Sequence, residues 1–215
     1  MKQALWFFDL VSPFSYLHYH KLGPLRERLQ IRAVPVLFAG LLKHWGTKGP
    51  AEVPPKRLHT YQYCVWAAGQ QGLSFRMPAR HPFNPLSAQR LLVALGASDE
   101  SVASAFHFVY GEGRDPEIEL AALGEQLNVS DVPALISSPE VKQQLAGNTQ
   151  QAIDLGVFGV STLVIGDRLF GAVIPSAGLN SFSTSPICSS SRNTAHRQTR
   201  RTLRRAASRA QPAWR

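Results

Sequence analysis

The sequence predicts an α/β fold: a small sheet whose strands come from the two ends of one patterned region, with an all-helical block inserted between them and a basic tail behind. Three observations carry this prediction: a strand, turn, helix and second strand at the start, about a hundred residues of helical periodicity after them, and an apolar run with a Gly-Asp turn and short return at "VSTLVIGDRLFG". The expected boundaries place the sheet domain in residues 1–38 and 155–170, the helical insertion in 39–154, and a disordered Ser/Arg-rich tail in 171–215.

The first strand is the β-rich run "ALWFFDL". In "SPFSYLHYHKLGPLRERL", Tyr16, Leu17, Tyr19, Leu22 and Leu25 recur at helical spacing, and Ser12 before Pro13 is a favoured helix start. "IRAVPVLFAGLL" reads as a second strand, parallel to the first, which completes a βαβ unit. From "VPPKRLHTYQYCVWAAGQQGL" to "VSDVPALISSPEVKQQLAGNTQQAIDLGV" the pattern is helical. "GEGRD" interrupts it, with Gly111 and Gly113 serving backbone needs at a helix end. The closing hairpin follows from the Gly166-Asp167 turn signal.

Composition narrows the class. The 215 residues are 44% hydrophobic and 17% charged, enough apolar material for a real core. The apolar stretch from Ala4 to Phe8 is broken by Asp9, too short for a signal peptide or a membrane span, so a soluble, cytoplasmic protein is expected. Cys64 and Cys188 lie far apart without metal-ligand spacing, and Cys64 falls in an apolar helical pattern as a small core residue. The histidines show no metal-ligand spacing with a third partner and read as surface or packing residues. The net charge of +9 is unevenly distributed. Every acidic residue precedes Gly171, whereas the tail carries eight arginines and no acid.

The motifs "FDLVSPFSYL", "KGPAEVPPKR", "FNPLSAQRL", "GEGRD" and "GVFGVST" together resemble the 2-hydroxychromene-2-carboxylate isomerases, which group with kappa-class glutathione transferases in the thioredoxin-like superfamily. The resemblance spans residues 5–170. It implies a thioredoxin-like fold with a helical insertion, a homodimer, and glutathione as cofactor. It also implies the reaction: cis/trans isomerisation of 2-hydroxychromene-2-carboxylate to trans-o-hydroxybenzylidenepyruvate, in aromatic (naphthalene-type) catabolism, by reversible addition of the glutathione thiolate. Ser12-Pro13-Phe14-Ser15 stands where a thioredoxin-like redox protein carries two cysteines, so a disulfide oxidoreductase is disfavoured and the sulfur would come from the bound tripeptide.

The resemblance aligns Ser12 with the serine that meets the glutathione sulfur; local sequence alone reads it as a helix cap. Val160 is the candidate glutathione contact before the strand after the insertion. Lys48, Lys56 and Arg57 are candidates for binding the substrate's anionic groups, or form a solvated basic helix start. Asn84 matches a substrate-contacting asparagine, or is a turn residue before Pro85. Asp9 is read either as solvated or as part of the site.

Two departures from the family pattern stand out. Gly159-Val160-Ser161-Thr162 has serine where the family carries a cis-proline, and the cost of a non-proline cis bond, about 2.5 to 4 kcal/mol, predicts a trans bond with Val160 turned away. After the hairpin, "LFGAVIPSAG" replaces the family's F-W-G-x-D and its closing helix. A one-nucleotide shift at Gly171 would restore W-G-S-D, which suggests a frameshifted and inactive form. The alternatives are a kappa-like glutathione transferase and, from another class, a nucleic-acid binder acting through the arginine-rich tail; with only Trp214 as an aromatic platform beside "RQTRRTLRRAASR", the last is disfavoured.

Overall fold

A computed structural model of the chain describes residues 1–171. The expectations for the tail, including its disorder, the frameshift, the missing helix, Cys188 and nucleic-acid binding, lie outside the described residues.

Four strands form one sheet in the order β2-β1-β3-β4, from β1 (Lys2–Phe8), β2 (Leu29–Pro35), β3 (Thr162–Ile165) and β4 (Arg168–Gly171). β1 runs parallel to β2 and antiparallel to β3, and β3 and β4 form the expected hairpin. Its turn uses Gly166 at φ 62°, a left-handed conformation that glycine adopts without a Cβ clash. β1 is paired on both edges by β2 and β3, and helices cover both of its faces. Trp6, Phe7 and Phe8 are all fully buried, which explains why the strand reads as a continuous apolar run and not an alternating one.

The helices are α1 (Pro13–Tyr19), α2 (Gly23–Arg26), α3 (Phe38–Trp45), α4 (Pro54–Gln70), α5 (Leu86–Ala94), α6 (Asp99–Phe106), α7 (Leu120–Gln126), α8 (Val132–Ser137) and α9 (Pro139–Asp154). On one face of the sheet Trp6 stacks on Phe8 at 4.6 Å, and both meet Phe106 of α6. Tyr19 of α1 joins them. On the other face Phe7, Val34, Val36 and Val164 pack with Leu41 of α3 and Ala152 of α9. α6 runs into a π-helical turn, His107–Gly111, followed by Gly113 at φ 77°, so "GEGRD" does end a helix.

Two expectations need correction. The apolar run after residue 31 is not one strand: β2 stops at Pro35, and "FAGLL" opens α3. The reason lies in distant partners. α3 begins after Leu37 with no capping side chain of its own, and its first amides are satisfied from elsewhere. Leu37 N–H donates to Thr149 Oγ1 of α9 at 3.0 Å, and Phe38 N–H to Asp9 Oδ2 at 2.8 Å. α3 and α9 approach so closely that a Cβ on Gly40 would meet Thr149 Cγ2 at 2.9 Å. Second, the Val160–Ser161 bond is cis, not trans. The local cost argument omitted a long-range partner: buried Ser161 has its hydroxyl 2.7 Å from His18 Nδ1, 143 positions away in sequence.

Candidate functional site

The chain leaves β1 at Asp9 and turns tightly into α1, with Ser12 N–H donating to the Asp9 carbonyl at 3.1 Å. Ser12 occupies the N-cap position, with Pro13 as the first helical residue, yet its side chain caps nothing. Its hydroxyl instead donates across the molecule to the Val160 carbonyl at 3.3 Å. That contact is long for an O–H donor, so the hydroxyl is available to a stronger acceptor. Ser15, one turn on, is fully buried, and its hydroxyl has no hydrogen-bond partner.

Behind this turn lies a buried polar cluster. Trp6 Nε1 donates to His18 Nδ1 at 3.4 Å, and the Ser161 hydroxyl reaches the same nitrogen at 2.7 Å. An indole N–H only donates, so His18 Nδ1 is the acceptor and the ring is neutral with its proton on Nε2. Burial, assisted by Lys21, lowers the His18 pKa to about 4, which keeps it in that form at neutral pH.

The turn opens into a cavity of about 390 Å³. Asp9, Val11, Ser12, Pro13 and Phe14 form one side, with Val160 beside them. Leu37, Phe38, Gly40 and Leu42 line it from the start of α3. Pro50–Glu52 and Thr60 of α4 supply a further part, and the loop from His81 to Leu86 closes it. The lining is mostly apolar, as small-molecule sites usually are. Asp9 is completely buried, with Oδ1 accepting from Val11 N–H at 3.0 Å and Oδ2 from Phe38 N–H. Desolvation pushes its carboxyl up to about 7 against the lowering effect of those two donors.

His81 ties the loop to the turn. Its Nε2 lies 2.7 Å from the Val11 carbonyl, so that nitrogen carries the proton, and its Nδ1 accepts from the Tyr61 hydroxyl at 2.6 Å. Burial lowers its pKa, with the Val11 carbonyl and Asp115 acting in the opposite direction. The His81–Pro82 bond is cis. Next in the loop, Asn84 lines the cavity and also makes the turn expected of it, Oδ1 accepting from Leu86 N–H at 3.1 Å.

Of the residues singled out from sequence, Ser12, Val160 and Asn84 meet in this cavity. Lys48, Lys56 and Arg57 do not line it and are exposed. They flank parts that do: Lys48 precedes the 50–52 turn, while Lys56 and Arg57 sit one helical turn before Thr60. Among the described residues, the lining includes no lysine or arginine. Asp9, His81 and His18 are the residues that sequence reasoning did not settle. For Asp9 and His81 the available signal was position, since Asp9 stands in the same motif as Ser12 and His81 only three residues before Asn84. His18 carried none, because its partners are Trp6 and Ser161. Cys64 is buried, and burial raises its thiol pKa to about 12, so it is the core residue its sequence context indicates.

A strand-turn-helix carrying Ser-x-x-Ser, joined across the sheet to the residue before a cis bond, defines a thioredoxin-like protein whose active-site turn has no sulfur of its own. A family model described as the DsbA-like thioredoxin domain matches residues 5–182, and the chain belongs to that family. Its relatives include glutathione S-transferase kappa 2 of Caenorhabditis elegans, 30% identical over an alignment of 184 residues that covers 77% of this chain and 82% of that one. A 2-hydroxychromene-2-carboxylate isomerase of Sphingobium xenophagum is 29% identical over an alignment of 182 residues that covers 77% of this chain and 89% of the relative. Among solved structures, a 2-hydroxychromene-2-carboxylate isomerase matches with TM-score 0.70 at 23% identity, covering 97% of this chain and all of that one. The disulfide reductase DsbM of Pseudomonas aeruginosa, solved with glutathione, matches with TM-score 0.56 at 17% identity, over 84% and 98% of the two chains. These two structural likenesses bear on the fold.

Proposed function

We propose that this chain is a glutathione-dependent isomerase acting on a small aromatic carboxylate of the 2-hydroxychromene-2-carboxylate type. The observation that carries the reading is the orientation of Ser12: its hydroxyl leaves the helix it would cap and points to the Val160 carbonyl at the edge of an open, mostly apolar cavity. In the proposed complex the tripeptide's cysteine lies along the backbone at Val160, and Ser12 turns its proton to the sulfur. A hydroxyl donor stabilises thiolate over thiol, and the adjoining start of α1 adds a favourable local field. The thiolate adds to the conjugated bond of the substrate, the resulting single bond rotates, and elimination gives the trans isomer with the thiolate restored.

The lining fits that division of labour. Glutathione takes the Ser12 and Val160 side, and the substrate ring takes the apolar side near Phe38, Phe83 and Leu86. Asn84 offers an amide to the substrate, while Lys48, Lys56 and Arg57 attract its carboxylate from outside the cavity mouth. A homodimer working in the cytoplasm is part of the same proposal; among the described residues no helix is long and apolar enough to cross a membrane.

A second reading, a kappa-like glutathione transferase, is favoured by the 30% identity to the kappa-class relative. It shares Ser12 and Val160 and differs in substrate. Calorimetric titration of glutathione into the protein and into Ser12→Ala tests the common part: saturable binding weakened by the substitution supports both readings, and no binding by a folded chain rejects both. Turnover of 2-hydroxychromene-2-carboxylate against a halonitroaromatic then separates them.

A further inference from the structure

Forming a thiolate releases a proton, and Ser12 cannot keep it, because a serine hydroxyl only shares its own. We propose that the Asp9 carboxylate takes up the proton given up by the bound glutathione thiol, so that the thiolate forms inside the cavity without releasing acid to solvent. This rests on the glutathione reading above and adds a residue to it. The step balances: the S–H bond breaks with its electron pair left on sulfur, and an O–H bond forms on Asp9. Since addition and elimination begin and end with thiolate, the proton stays on Asp9 through turnover.

Geometry and electrostatics support the assignment. Asp9 and Ser12 belong to one tight turn and line one cavity. Each Asp9 oxygen accepts one backbone N–H, from Val11 and from Phe38, which leaves each with a lone pair for a proton. No lysine or arginine lines the cavity among the described residues. The thiolate and a buried carboxylate would therefore be two like charges in one poorly solvated space with no counter-ion, and such pairs hold one proton between them.

The other titratable groups near Asp9 do not take this role. Glu52 lines the cavity from the 50–52 turn, but it is exposed to solvent, whereas Asp9 is fully buried. His81 presents its protonated nitrogen to Val11, and its other nitrogen is occupied by Tyr61. Tyr110, buried with no partner for its hydroxyl, is held neutral by burial and by the field of Asp9, and Cys64 and Tyr61 of α4 are likewise kept neutral by burial. Desolvation places Asp9 at about 7, below an ordinary thiol near 8.5, and the Ser12 hydroxyl donated to the sulfur offsets the roughly thirtyfold preference for the thiol that this difference leaves.

The test counts protons. Glutathione is titrated at about pH 8 in two buffers of different ionisation enthalpy, while the ultraviolet absorbance of the thiolate is followed. At that pH a thiol giving its proton to solvent releases about 0.8 proton per molecule bound. The expected result is a thiolate signal with net release near zero in the native protein, rising towards that value in Asp9→Asn for whatever thiolate still forms. A merely structural role for Asp9 would lower affinity and leave the proton count unchanged between the two proteins. Thiolate formation with full release by the native protein, or binding as the thiol, overturns the assignment of Asp9 alone. Failure of glutathione to bind overturns the functional reading and this inference together. The native protein's count decides even where the variant does not fold.

Discussion

The cavity has two walls of different construction. The turn wall, Asp9 to Phe14 with Val160, is set by buried groups whose partners are all internal: His18 and Trp6 behind Ser161, and backbone amides on Asp9. The loop wall, His81 to Leu86, is attached to it by one hydrogen bond from His81 to Val11, and Pro82 and Asn84 in it are exposed. A wall fixed by buried hydrogen bonds suits chemistry that needs set distances, while a partly exposed loop suits substrate selection. On the proposed function, changes in the turn wall alter the rate for every substrate, and changes in the loop wall alter which substrate is used.

Ser12→Ala gives the largest expected effect. On the proposed function Ser12 donates to the glutathione sulfur, so its removal should lower kcat/KM by about 10²-fold for isomerase and transferase substrates alike. Steady-state kinetics on both check it, and a loss confined to one substrate would break the division between the walls.

The second prediction concerns stability and separates the two buried titratable groups of the turn wall. Asp9 is raised from 3.8 to about 7, so its contribution is present below about 4 and is lost as pH rises through 7. His18 is lowered from 6.5 to about 4, so its contribution is present above 6.5 and is lost as pH falls through 4. In the native protein the two trends oppose each other between about pH 4 and 6.5. In His18→Gln the Asp9 trend is uncovered, and stability relative to native should rise on acidification by an amount on the order of 3 kcal/mol across that window. Asp9→Asn should tilt the other way. Denaturant unfolding of the three proteins at several pH values decides, and parallel curves would show that neither group titrates as described.

The sequence disclosed this wall unevenly. Ser12 was legible because the strand-turn-helix pattern and the Ser-Pro start are local, and the hairpin with its Gly-Asp turn was legible for the same reason. The role of His18 was not, since it depends on Trp6, twelve residues away, and Ser161, 143 away. The same limit hid α3: "VPVLFAGLL" is apolar without a period that separates strand from helix, and the groups that decide it come from the turn after β1 and from α9. Lys48, Lys56 and Arg57 were placed by their motif, and the cavity lies inward of them.

Smaller effects belong to the loop wall. Tyr61→Phe leaves His81 Nδ1 without its donor, a cost of about 1 kcal/mol, and should raise KM for the aromatic substrate severalfold with glutathione affinity unchanged. Equal losses for both ligands would mean that the walls are not separable. The smallest expected change is for Lys56→Ala with Arg57→Ala: about twofold in KM for an anionic substrate, and absent at high salt, because exposed charges act at long range and are screened. Kinetics at two ionic strengths measure it.

The start of α3 carries a consequence for the order of folding. Its first two amides are served by Asp9, 29 residues before, and Thr149, 112 residues after, so this end of the helix is not encoded beside it. The helix is complete only once the first and last parts of the described chain have met, a contact of high sequence separation that forms late. Amide hydrogens at Leu37 and Phe38 should therefore exchange only through global opening, and partly folded forms that keep their local helices should lack the cavity altogether.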